Sequence, residues 1–286
     1  MILSSAAKAE IIYGVTLLRE LITFDSASPG TVSSTVPITG LVDQDASEAV
    51  VAIDIRPFDQ QLYALGNAPG SVYRLYTINP ATGLATQVGT GALEGAPNGS
   101  SFGFDFNPFA DRLRVVNETD QNLRYVPNDA ALAGTDTPLA FAAGDPNAGQ
   151  NPSIGAAAYT NSFVGAPSTA LFNIDFGLDI LVTQEPPNAG SLNTVGALGV
   201  DFSSTAGFDI SGVTGIAYAS SAQPTALSSQ LYTVNISTGQ ATLVGNIGNQ
   251  IAVRDIAAFV PIPEPSGAML LGLRALGCLR RRRIGR

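Results

Sequence analysis

Four carboxylates recur in one local setting. Asp54 lies in Ile53-Asp54-Ile55, Asp105 in Phe104-Asp105-Phe106, Asp209 in Phe208-Asp209-Ile210 and Asp255 in Arg254-Asp255-Ile256. Asp105 follows Asp54 by 51 residues, and Asp209 follows Asp105 by 104, two steps of 52. Carboxylates that converge repel one another and can hold a hard cation such as Ca²⁺ through oxygen ligands. A metal-dependent hydrolase or lyase could use such a centre. The other role is structural. A buried carboxylate needs hydrogen-bond donors, and a repeated Asp can find them on the neighbouring repeat and fix the junction. One repeat lacks the Asp, and a repeated residue usually serves the repeat. Both points favour the structural role.

Other chemistry is narrower. The chain has no His, no Trp and one Cys, Cys278. His-dependent triads, His/Cys zinc sites and intrachain disulfides are therefore excluded. No catalytic residue is assigned. Arg56, Arg112, Arg114 and Arg124 are half of the eight basic residues outside the C-terminal tail. Pairing with the Asp set is the simpler expectation for them, and anion binding the alternative. Tyr63, Tyr73, Tyr76, Tyr125 and Tyr232 occupy strand positions, where aromatic residues are usually core. A sugar-stacking platform is the lesser alternative.

The elements that must position the Asp set repeat too. Residues 75–89, LYTINPATGLATQVG, return at 231–245 as LYTVNISTGQATLVG, with ten of fifteen positions identical. Leu75–Ile78 and Ala85–Val88 read as strands, and Asn79–Gly83 reads as their hairpin loop. Upstream, Ile53–Ile55 and Gln61–Leu65 supply two more strands. Four strands at a period near 50 are the signature of a β-propeller blade. Complete units span 50–90, 102–143 and 206–245, with a divergent unit at 153–198 whose first strand carries Ala156-Ala157-Ala158 where the others carry Asp.

The ends of the array complement each other. Residues 11–42 hold three strands and lack an Asp-centred first strand; residues 251–256 supply only such a strand. Joined, they make one blade and remove two open sheet edges. The expected fold is all-β, a propeller of five four-stranded blades, or six if the loop at 135–152 hides strands. Three regions follow: 1–10, a remnant of an export signal or an extension; 11–260, the propeller; 261–286, a tail.

Charge is uneven. The formal net charge is −9, yet six of the 14 basic residues are arginines beyond Ser266, so the body before Glu264 carries about −14. A body this acidic argues against nucleic acid and suits solubility outside the cell or cation binding.

The tail runs Pro263-Glu264-Pro265-Ser266, then apolar Gly267–Leu279, then Arg280-Arg281-Arg282-Arg283. It resembles the PEP-CTERM sorting signal of bacteria that make exopolysaccharide and biofilm. The resemblance implies transient insertion in the inner membrane, the arginines on the cytoplasmic side, and processing by an exosortase. It implies an exported protein at the cell surface or beyond. This copy is shorter than a full span, 13 residues broken by Arg274, against the roughly 20 a bilayer requires. The body is similar to domain-of-unknown-function family 4394, on Gly103-Phe104-Asp105-Phe106-Asn107-Pro108, Leu75–Pro80, Ala158–Ser162 and Asn193–Asp201. That likeness brings no catalytic residues. The expected function is a secreted or surface-displayed binding propeller for exopolysaccharide or a surface protein, without a cofactor. A calcium-dependent hydrolase or lyase centred on the Asp set is the alternative.

Overall fold

The computed structural model describes residues 9–222 and 228–259. The leading segment to Lys8 and the sorting tail, with Pro263, Glu264, Pro265, Ser266 and Arg280, Arg281, Arg282 and Arg283, lie outside the described residues. Glu10 belongs to the fold: it is buried, and its carboxylate accepts from Thr214 Oγ1 and the Tyr218 hydroxyl, each at 2.9 Å.

Strand runs and turn residues alternate along the chain as the period demands. β1 (Ile11–Thr16), β2 (Glu20–Asp25) and β3 (Val32–Pro37) come first. The second blade is β4 (Ala49–Ile55), β5 (Leu62–Ala68), β6 (Val72–Ile78) and β7 (Ala85–Val88). The third is β8 (Phe102–Asn107), β9 (Arg112–Asn117), β10 (Asn122–Tyr125) and β11 (Leu132–Thr135). After the short β12 (Ala140–Phe141), the fourth blade contains β13 (Ile154–Tyr159), β14 (Leu171–Asp175), β15 (Ile180–Gln184) and β16 (Ser191–Ala197). The fifth is β17 (Ala206–Ile210), β18 (Ala217–Ala222), β19 (Ser229–Val234) and β20 (Ala241–Asn246). The last strand, β21 (Val253–Ala258), pairs antiparallel with β1 and completes the first blade in the order β21-β1-β2-β3. Tyr13 faces Ala257 and Gly14 faces Ile256 in that ladder. The wheel is closed by its own C-terminal strand.

The repeated loop shows why the hairpins form. Asn79 Oδ1 accepts the Ala81 N–H at 2.9 Å, and Gly83 takes a φ of +72° that L side chains rarely adopt. A Cβ on Gly83 would also stand 2.1 Å from the Pro37 carbonyl oxygen of the preceding blade. The second copy repeats the device, with Ser237 N–H on Asn235 Oδ1 at 2.9 Å and Gly239 at φ +83°.

The stretch 135–152 hides no sixth blade. Its only regular piece among the described residues, β12, pairs parallel with β16 and lengthens the fourth blade. Leu139 and Phe141 anchor it by burying against Val182 and Leu192. An outer strand is thereby covered rather than left as a bare edge.

Apolar residues gather mainly between blades. Tyr63, Leu65 and Leu75 of the second blade pack with Phe104, Phe106 and Leu113 of the third. Val15 and Leu21 of the first meet Ile53 and Ile55 of the second. Neighbouring blades thus complete one another's cores. The five first-in-blade strands, β21, β4, β8, β13 and β17, stand innermost around the axis. No helix of the described residues is long and apolar enough to cross a membrane.

Candidate functional site

The four Asp residues sit on four of the innermost strands and are 2–5% exposed. Each reaches the next blade. Asp54 Oδ2 accepts the Phe106 N–H at 2.9 Å, and Asp105 Oδ1 accepts that of Tyr159 at 3.2 Å. Asp209 Oδ2 accepts the Ala258 N–H at 2.6 Å, and Asp255 Oδ2 that of Ile53 at 2.8 Å. Four of the five junctions are therefore stitched by one carboxylate. Charge-assisted bonds of this kind satisfy N–H groups that a pair of facing inner strands would otherwise leave without partners. The inner strand of the fourth blade, β13, has no Asp to offer, and its junction with the fifth is filled instead by Ala156, Ala158 and Phe208. Close approach is set by glycine: a Cβ on Gly207 would meet Asp255 Cα at 2.7 Å, and one on Gly103 would meet Ala157 Cβ at 2.5 Å.

Convergence raises the cost of charge. Asp54, Asp105 and Asp209 each bring one oxygen within 4.8 Å of the others. Asp255 is not in that set. Burial pushes the Asp54 carboxyl well above its ordinary range, and the nearby Asp209 adds to it. Burial does the same to Asp105, with Asp54 adding, and to Asp255. Asp209 is raised by burial to about 6. Two ligand oxygens on one Ca²⁺ lie at most about 5 Å apart, twice the metal–oxygen distance. Three hub carboxylates meet that limit.

The arginines do not pair with this set. Arg56 grips Asp111 of the third blade through Nε and Nη2, at 2.8 and 2.5 Å, and Asp59 through Nη1 at 2.7 Å. Arg114 and Arg124 share Asp136, each with a 2.7 Å bond to Oδ2. Burial pushes the Asp136 carboxyl up, and the two guanidiniums more than reverse this, leaving it below its ordinary value. The reason is position: the inner strands carry their Asp on the axis, whereas Arg56 lies just past the end of β4 and Arg112, Arg114 and Arg124 sit on β9 and β10, farther out in the third blade. Tyr63, Tyr73, Tyr76, Tyr125 and Tyr232 are all buried, as expected of core.

A cleft of about 290 Å³ opens between the third and fourth blades, lined by Asn107, Arg112, Arg114, Arg124, Tyr159 and Asn188 among others. It lies where the inner strands β8 and β13 end. Asp136 answers two of its three arginines. Arg112 bonds only to backbone carbonyls, Asp111 O at 2.8 Å and Ala110 O at 3.5 Å, and has no acidic partner among the described residues. The turns after the inner strands also expose large apolar side chains: Phe58 and Phe109 at 67% each, Phe163 at 39% and Val213 at 45%. Three of them, Phe58, Phe109 and Val213, stand four residues after Asp54, Asp105 and Asp209. Strands that all run outward to one face place these turns around one rim. Arg56 stacks over Phe58 at 5.0 Å from the ring centre. The sequence carries a signal for this rim in the paired Pro57-Phe58 and Pro108-Phe109.

Several solved structures are distantly similar. A Bacteroides fragilis protein provisionally described as a 6-phosphogluconolactonase is 16% identical, with 89% of this chain matched to 71% of that one at a TM-score of 0.43. A similarly described Bacteroides uniformis protein is 12% identical over 84% and 83% of the two chains, also at 0.43. The extracellular domain of a B. thetaiotaomicron protein, provisionally a one-component system, is 14% identical and matches 85% of this chain but 29% of its own, at 0.38. At these values the likeness bears on neither activity nor partner. No curated protein matches the chain. Residues 20–257, most of the wheel, match the family model described as Domain of unknown function (DUF4394), and the chain belongs to that family.

Proposed function

We propose that this protein is an exported, non-enzymatic binding propeller whose inner-strand-exit face holds an acidic polysaccharide. One observation carries the reading: Arg112 stands without an acidic partner among the described residues in a cleft whose lining residue Ala110 directly follows the exposed Phe109, on a body whose charge is about −14. A guanidinium bonded only to backbone carbonyls can still take the carboxylate of a uronic acid, and an exposed ring suits the apolar face of a sugar. The tail supports the address. Pro263-Glu264-Pro265-Ser266, the apolar run and Arg280–Arg283 fit processing by an exosortase-type enzyme after transient insertion in the inner membrane, with display at the surface or release into the matrix. Nucleic acid is not a partner in this reading.

The direct test is calorimetry with oligogalacturonate against a neutral oligosaccharide of equal length. The acidic ligand binds, the neutral one binds at least tenfold more weakly, and R112A removes the difference. Binding of neither sugar, or equal binding by R112A, sinks the proposal. Capture of a surface protein in place of a glycan would move the partner to the protein class.

A second reading rests on the 4.8 Å convergence of Asp54, Asp105 and Asp209. These carboxylates would hold Ca²⁺ as a pin for the hub. A hydrolase or lyase would also need an open ligand position and a substrate route, and carboxylates 2–4% exposed offer neither. In this reading calcium is structural, and melting with and without calcium tests it.

A further inference from the structure

The other mouth of the axis has its own feature. Val51, Phe102, Gly155, Ala206 and Arg254 line one small cavity. Each comes from a different blade, at or near the start of its inner strand, so the cavity lies on the axis. Its position opposes the Arg112 cleft, which lies where inner strands end. The cavity volume is about 20 Å³, enough for one water-sized group and no more.

Arg254 is half-buried there, and its guanidinium has no hydrogen bond or ion pair among the described residues. Every other arginine that lines a cavity or junction described above has at least a carbonyl or an acid. The hydroxyls of Ser101, Ser204 and Thr205, in the same wall, are equally unused. Glu118 is not a partner: it accepts the Ser100 N–H at 2.6 Å, the Ser100 hydroxyl at 2.9 Å and the Ser101 N–H at 3.1 Å, and forms no ion pair. A guanidinium stays charged in proteins, so an uncompensated one in a half-buried site is costly. Burial alone pushes Arg254 below its ordinary value. An anion would reverse that cost, and hydroxyl donors beside the guanidinium fit its remaining lone pairs.

We infer that the Arg254 cavity binds a carboxylate by seating one of its oxygens, with the rest of the ligand lying outside over Ser100 and Ser204. The two sources of that group, a free small anion and a carboxylate carried by a sugar, share the same chemistry. This site is independent of the Arg112 cleft.

The full chain is titrated with sodium acetate, and separately with sodium glucuronate, in sodium chloride at fixed ionic strength, with Tm as readout. Wild type shows a saturable rise with acetate, and R254Q shows none. R112A keeps the rise, which separates this site from the cleft. A rise with glucuronate as well identifies a carried carboxylate; a rise with acetate alone identifies a free anion. Should R254Q not fold, S204A/T205V carries the test through a several-fold shift of the acetate midpoint. No saturable rise in wild type, or the same rise in R254Q, overturns the inference.

Discussion

Asp255 accepts a hydrogen bond from the backbone N–H of Ile53, 202 residues earlier in the chain, at 2.8 Å. Its other oxygen takes the N–H of Ile256 at 2.9 Å. The strand that carries it pairs on its other side with β1. The closing strand is thus held twice: by a ladder to the first blade's own strands, and by a carboxylate to the second blade.

Breaking the carboxylate link tests its share of closure. D255A leaves the N–H groups of Ile53 and Ile256 buried without acceptors, at about 1–3 kcal/mol. D255N keeps one acceptor oxygen and also removes a costly charge, so it retains most of the stability. Urea unfolding should show a lower midpoint for D255A than for D255N at unchanged m. Equal midpoints would mean that the ladder alone closes the wheel.

The hub makes stability depend on pH in a direction opposite to most carboxylates. Asp209 rises from 3.8 to about 6 in the fold. A raised carboxyl contributes stability that is fully present below its unfolded pKa and lost as pH climbs through the folded one. The window for Asp209 is therefore about pH 4 to 6, and burial shifts Asp54, Asp105 and Asp255 in the same direction. A shift of two units corresponds to roughly 3 kcal/mol. Asp136 and Asp145 are lowered, so their contributions are lost only as pH falls below the usual carboxylate range. In EDTA, Tm should fall between pH 4 and 7, and D209N should flatten the fall. A Tm that rises steadily over that range contradicts the coupling.

Calcium should cancel that fall. A cation bound by Asp54, Asp105 and Asp209 favours their charged forms, which inverts the local cost. Calcium at one hundred times its Kd adds about 2.7 kcal/mol. At pH 7.5, Tm should rise on adding calcium to EDTA-treated protein and should not rise in D54N. An unchanged wild-type Tm at millimolar calcium leaves the hub as stitching alone.

Particular residues show where legibility ended. The period was visible because Asp54, Asp105 and Asp209 and the two LYT hairpins return at steps of about 52 residues, and Asp255 follows in the same local setting 46 residues after Asp209. Closure was visible because residues 11–42 and 251–256 each lack what the other supplies. The partners of Arg56 and Arg114 were not visible. Asp111 and Asp136 come from neighbouring turns and edges, and sequence distance says nothing of which turn meets which. β12 was hidden because two residues pairing parallel with β16 leave no alternation to read. Of the exposed rim, Phe58 and Phe109 had a signal in their shared Pro-Phe, while Phe163 sits in a turn of different length.

Arg56 offers a test of the junction between the second and third blades. Its side chain is 3% exposed, with Asp111 at 36% and Asp59 at 21%. It also donates to Asn128 Oδ1 at 2.8 Å and the Tyr63 hydroxyl at 3.3 Å. The planar fork is needed, because one atom pair faces Asp111 while the third nitrogen serves Asp59 and Asn128. Removing a buried ion-pair partner costs about 3–5 kcal/mol when the remaining charge stays buried. Here both acids reach solvent, so R56A should cost less, about 2 kcal/mol, and D111N less again. R56K keeps the charge but cannot span both acids, and should lie near R56A. Chemical denaturation of the three variants checks the order. A lysine variant as stable as wild type would show that charge, and not the fork, holds these two blades together.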